Sequence, residues 1–171
     1  IILSGGPRSV YEKNAPRVDS EILKWAIKNE IPILGICYGH QLLAKMLGGE
    51  VIRGKEGEYG LSTLKIHTYN TIFKNTPLEQ KVWMSHKDLV AKLPNEFEVL
   101  ASTNYTPIAA FKSKKYPIYG LQFHPEVKHT KFGKQILRNF LFEICKCRPN
   151  WRLGDFIKKK VNEIRRIVGN S

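Results

Sequence analysis

At 171 residues, with 42% hydrophobic and 25% charged residues, the chain has the size and balance of one soluble globular domain with a real core. No apolar run is long enough to span a membrane and no secretory signal is visible, so no membrane partner is expected. The net charge of +13 permits nucleic-acid binding on electrostatic grounds. The lysines are spread thinly, however, with the densest clusters at 112–115 and 158–160 and no nucleic-acid motif beside them. A solvated basic face or a docking surface for an acidic partner domain is expected, with no nucleic acid. Three cysteines make no disulfide framework. Cys145 and Cys147 form a C-x-C without further ligands at zinc-site spacing, and His40, His67 and His129 form no ligand pattern, so no metal is expected. A free Cys37 thiol suits a reducing cytoplasm.

In chain order, Ile1-Ile2-Leu3 reads as a strand running into the glycine turn Ser4-Gly5-Gly6-Pro7. Asp19 or Ser20 caps a helix to about Asn29, with Ile22, Leu23, Ala26 and Ile27 on one face. Residues 31–36 are wholly apolar, as buried parallel strands are. They lead into Gly35-Ile36-Cys37-Tyr38-Gly39-His40-Gln41 and a second helix through Leu47, stopped by Gly48-Gly49. Six β-type segments follow, at 51–53, 61–68, 81–85, 98–102, 108–112 and 118–123. A helix spans 132–144, with Ile136, Leu137, Phe140, Leu141 and Ile144 at helical spacing. After a break at Arg148-Pro149-Asn150, Asp155 caps a last helix whose Ile157, Val161, Ile164 and Val168 form a stripe that must bury against something, with Gly169 ending it. The fold class expected is α/β, a central mostly parallel sheet flanked by helices with an antiparallel β excursion.

Three of these segments carry chemistry. A cysteine between glycines, after a strand and before a helix, is a nucleophile elbow: the turn exposes the sulfur and the helix N-terminus favours thiolate. Taken alone it is also compatible with an inert core cysteine. Phe123-His124-Pro125-Glu126 ends the segment at 118–123. His124 there can serve as general base and acid, and Glu126 can fix its tautomer, Pro125 directing both to one site. Gly6 and Tyr38 N–H groups are the candidate oxyanion donors, with Gly5 the second choice.

Ser4-Gly5-Gly6-Pro7, Gly35-Ile-Cys37-Tyr-Gly-His-Gln41 and Phe123-His124-Pro-Glu126-Val127 resemble, in order and spacing, the motifs of class I (triad-type) glutamine amidotransferases. Val82-Trp-Met-Ser85-His86-Lys-Asp88 narrows the resemblance to the GMP synthase branch, with Lys87 where that branch usually has glycine. The resemblance implies a flavodoxin-like amidotransferase fold and catalytic roles for Cys37, His124 and Glu126. It implies that Gln41 helps hold L-glutamine and that backbone groups of Ser85 and His86 receive its α-amino and α-carboxylate ends. His86 also reads as a structural histidine beside Trp83.

The same resemblance divides the chain into an amidotransferase domain at 1–147, expected to lack its first strand and helix, and a linker helix at 148–171. That helix leads toward an ATP-dependent synthetase domain of the same chain. The synthetase would use ATP and Mg2+ to aminate xanthosine monophosphate (XMP) to GMP, in a cytoplasmic homodimer formed through the missing part. No cofactor is expected within these residues. The alternatives are the glutaminase of another synthase (carbamoyl phosphate, anthranilate or aminodeoxychorismate), a γ-glutamyl peptidase, and a basic binding module with a vestigial triad.

Overall fold

The computed structural model describes residues 1–150 and 153–169. Its seven strands form one sheet in the order β1-β2-β7-β6-β5-β3-β4. β1 (Ile2–Leu3), β2 (Ile33–Ile36) and β7 (Ile118–Leu121) run parallel. β6 (Ala110–Ser113), β5 (Phe97–Ser102), β3 (Glu50–Ile66) and β4 (Glu79–Lys92) extend the sheet in antiparallel pairs. The expected α/β architecture, a parallel core with an antiparallel excursion, is present, and the excursion supplies four of the seven strands.

Helices cover both faces because β2 and β7 are apolar on both. On one face Ile33, Ile118 and Phe111 meet Leu23 and Ala26 of α1 (Ser20–Lys28) and Leu43 of α2 (Tyr38–Met46). On the other, Leu34, Ile36, Leu121 and Phe123 meet Ile136 of α3 (Gly133–Arg138), Phe140, and Phe73 of a 3₁₀ turn at Thr71–Phe73. Each fully buried Leu, Ile or Phe here contributes roughly 1.5–3 kcal/mol. Asp19 caps α1 by accepting from Glu21 N at 2.9 Å. Ile22, expected on the inward face, is 52% exposed. The buried stripe is narrower than the pattern because α1 lies on the sheet through Leu23 and Ala26, with Ile27 half-buried beside them.

Three further expectations change. The segments at 51–53 and 61–68 belong to one strand, β3, whose pairing with β4 slips between Arg53 and Glu58. Arg53 pairs with Asp88 and Glu58 with His86, so residues 54–57 stand opposite Lys87 alone. The helix at 132–144 is α-helical only to Arg138 and continues as a π-helical turn at Asn139–Ile144. Buried Asn139 fixes that turn, donating to Ile72 O at 3.0 Å and Lys74 O at 2.7 Å. Asp155 is no cap; it lies in the first turn of α4 (Leu153–Val168). No described residue of α4 is buried, and its stripe is exposed.

Candidate active site

β2 ends at Ile36 and α2 begins at Tyr38, so Cys37 alone makes the turn between them. It does so at φ 51°, ψ −103°, backbone that a residue with a side chain rarely adopts. Two backbone bonds hold it there: Cys37 N donates to Leu121 O at 2.8 Å, and Gln41 N donates to Cys37 O at 3.2 Å. Tight packing under the elbow explains Gly39, where an added Cβ would lie 2.1 Å from Leu3 O. Cys37 is 5% exposed, and its Sγ lies 3.7 Å from Ser85 O.

His124 follows β7, on the strand neighbouring β2, which brings it beside Cys37. Its Nδ1 donates to Glu126 Oε1 at 2.6 Å, so Pro125 does direct both side chains to one place. The nearby Cys37 sulfur, then the Glu126 carboxylate, favour the imidazolium; burial opposes them, and His124 is pushed up to about 10. Burial pulls Glu126 upward, but hydrogen bonding to His124 and to its own backbone outweighs it and holds the carboxyl below its usual value. The His124 backbone is latched to β4. His124 N donates to Trp83 O at 3.0 Å, Thr130 Oγ1 donates to His124 O at 2.6 Å, and Trp83 N donates to Thr130 Oγ1 at 3.0 Å. Thr130 carries no motif signal and sequence reasoning missed it.

A cleft of about 390 Å³ opens over Cys37, lined among others by Gly6, Tyr38, Gln41, Ser85 and Asp88. As the first residue of α2, Tyr38 has an N–H with no intrahelical acceptor, and Gly6 sits against its ring. Both candidate oxyanion donors therefore border the cleft beside Cys37. Gly5 is closer to the histidine: a Cβ there would lie 2.9 Å from His124 Cε1. Arg8, Arg53 and Lys87 bring positive charge to the cleft, and Glu12 and Asp88 negative charge, suiting a zwitterion. Tyr11, also missed, donates to Asp88 Oδ1 at 2.8 Å and ties the loop after Gly6 to β4.

Gln41 lines the cleft, but its Nε2 already meets Asp88 O at 2.7 Å and Gln122 Oε1 at 3.1 Å. Its Oε1 is the atom left to meet a ligand. Ser85 and His86 point to opposite faces of β4. The His86 ring turns away into a buried cluster with Glu58, so only its backbone reaches the cleft. It is structural, as one reading expected, though not beside Trp83, whose ring stacks on His129 at 4.5 Å. Lys87 sits in β4 without a positive φ, so this backbone has no need of glycine. Cys145 and Cys147 are free, and among the described residues no group of His, Cys, Asp or Glu could hold a metal ion.

The family model "Glutamine amidotransferase class-I" matches residues 1–144. A protein of Caldicellulosiruptor saccharolyticus named "GMP synthase [glutamine-hydrolyzing]" is 52% identical over 170 residues, 99% of this chain and 32% of that protein. One of the same name from Aquifex aeolicus is 48% identical over 171 residues, the whole of this chain and 33% of its own. The chain thus spans about a third of the length of the curated relatives it matches. A crystal structure of a glutamine amidotransferase from Thermotoga maritima superposes with a TM-score of 0.70 and 26% identity, over 85% of this chain and 78% of that one. With the elbow, the His-Glu pair and the cleft in one place, and the family model covering the whole sheet, the chain belongs to the class-I glutamine amidotransferases.

Proposed function

We propose that the chain is the glutaminase part of a GMP synthase, taking ammonia from L-glutamine through Cys37, His124 and Glu126. The observation that carries this reading is the 2.6 Å His124–Glu126 bond beside a strained cysteine at the head of α2. The Cys37 sulfur attacks the side-chain amide carbon, and the developing oxyanion meets the N–H groups of Gly6 and Tyr38. His124, held protonated by its neighbours, gives its proton to the departing ammonia. The γ-glutamyl thioester is then hydrolysed by a water that His124 deprotonates, and the proton returns to the Cys37–His124 pair as glutamate leaves. Gln41 Oε1 and the backbone of Ser85 and His86 receive the amino-acid end of glutamine.

Ammonia then passes to a synthetase domain of the same protein, toward which residues 148–171 lead, for amination of XMP to GMP. On this reading ATP and Mg2+ belong to that domain. The rest of the protein supplies the homodimer contact, and the free Cys37 fits the cytoplasm. The test is labelling of the full-length protein with a diazo-ketone analogue of glutamine, followed by mapping of the adduct. Labelling at Cys37, loss of glutamine-dependent activity and survival of ammonia-dependent amination are expected. Adducts at Cys145 or Cys147 instead would overturn the assignment. Cys37→Ala lowers glutamine turnover by roughly 10⁴-fold or more.

A further inference from the structure

A second polar cluster lies on the face of the β3–β4 pair turned away from Cys37. Glu58 and His86 stand directly opposite each other across the ladder, their side chains 5% and 4% exposed. The next pair, Tyr59 and Ser85, points to the other face and lines the cleft. Glu58 Oε2 accepts from Thr106 Oγ1 at 2.6 Å and from Thr103 Oγ1 at 3.1 Å, and lies 3.4 Å from His86 Nε2. On the far side of the same ring, Nδ1 lies 2.9 Å from Asp88 O and donates to it. That carbonyl is the one that receives Gln41 Nε2. Polar contacts therefore run unbroken from a buried carboxylate to the helix behind the nucleophile.

Burying a carboxylate is costly unless its partners are fixed. Burial would push Glu58 up, but His86, Thr106, Ser62 and Thr103 together hold it at about 2. The cluster sits where support is needed. Opposite Lys87 the β3 ladder slips, so within the cleft wall 85–88 Lys87 stands without a register partner between the paired His86 and Asp88. The His86 ring, wedged between Glu58 and Asp88 O, spans that slip.

We propose that Glu58, acting through His86, is a positioning residue that presets the cleft wall 85–88 against Gln41 for the amino-acid end of the substrate. Glu58 touches no substrate, and its effect falls on ligand binding rather than on the thiol. The proposal rests on the glutaminase reading, and its test separates the two. Full-length protein is inactivated with the diazo-ketone glutamine analogue, measuring half-saturating concentration and limiting rate separately. Iodoacetamide, which has no amino-acid end, reports the thiol in parallel. Glu58→Gln and the milder Thr106→Val raise the half-saturating concentration about tenfold, one charge-assisted hydrogen bond's worth. Limiting rate and iodoacetamide rate stay within about twofold, and Thr106→Ser, which keeps the hydroxyl, restores the wild-type value.

Wild-type protein that is not labelled at Cys37 would overturn the glutaminase reading itself. Normal wild-type labelling with unchanged half-saturation in the variants would overturn the positioning role alone. So would an equal slowing by iodoacetamide, which would assign the network to the nucleophile. If Glu58→Gln does not fold, Thr106→Val decides.

Discussion

The site's reactivity rests on few atoms, each held by a neighbour that forbids alternatives. Gly5 is one such neighbour. Its missing side chain leaves the space occupied by the His124 ring, which Glu126 pins from the other side. Gly5→Ala keeps the backbone N–H, so any loss reports the ring rather than an oxyanion donor. The added methyl would stand 2.9 Å from Cε1 and must turn the imidazole. We expect kcat for glutamine hydrolysis to fall on the order of 100-fold with the melting temperature nearly unchanged, checked by steady-state kinetics and calorimetry. Glu126 acts on the proton instead. His124 holds its proton up to about pH 10, with the Cys37 sulfur the larger cause and Glu126 the second. On the proposed reading ammonia departs only from the protonated form, so activity should persist to high pH and fall through that value. Glu126→Gln removes one of the two supports while burial still opposes the cation. The descending limb of the pH–kcat profile therefore moves to lower pH by about one unit or more. A limb that stays in place would separate Glu126 from the proton. These residues were legible in the sequence because each lies within a short motif whose spacing is itself the geometry: His124 and Glu126 are two apart and meet, and Cys37 stands between strand and helix as the elbow requires.

At the scale of elements, His124 sits on a loop, and loops need anchoring. Thr130 provides it, joining the His124 carbonyl to the Trp83 N–H through one hydroxyl. Thr130→Val keeps the shape and removes the hydroxyl, leaving a buried donor and a buried acceptor unpaired. The expected cost is about 1–3 kcal/mol of stability, with kcat falling and KM for glutamine little changed, measured by chemical denaturation and kinetics. A loss confined to stability would mean that the loop keeps its place without the latch. Nothing in the sequence marks Thr130, because its partner Trp83 is 47 residues away and only the strand register brings them together. The same limit hid Glu58, whose role depends on standing across from His86, and the length of β3, where glycines at 54, 57 and 60 read as breaks. A slipped ladder absorbs extra residues without ending the strand. The π-helical turn escaped for a related reason: Phe140, Leu141 and Ile144 keep an ordinary helical pattern, and the widening comes from Asn139 bonding across to residues 72 and 74.

For the whole molecule, the sheet and its covering helices account for the buried core, and α4 stands apart from it. Its Ile157, Val161, Ile164 and Ile167 are 51%, 39%, 56% and 78% exposed, while Lys158, Lys159 and Lys160 add to the chain's positive charge. The amphipathic pattern that made this helix legible in the sequence implied a buried stripe. That inference concerned a contact, and contacts depend on what stands opposite, which periodicity alone cannot supply. A helix whose apolar stripe is exposed adds little to the folding free energy of the domain it follows. Comparing residues 1–150 with residues 1–171 therefore tests the division of labour between core and tail. Melting temperatures should agree within about 3 °C, and glutamine-analogue labelling of Cys37 should proceed at the same rate in both, because every residue of the cleft lies before Asn150. A drop of roughly 10 °C on removing the tail would instead place α4 among the elements that hold the sheet together. On the proposed reading, Ile157→Ser, Val161→Ser and Ile164→Ser combined in the full-length protein should weaken the coupling between glutamine hydrolysis and amination, read as glutamate formed per GMP formed, without lowering Cys37 reactivity toward the glutamine analogue.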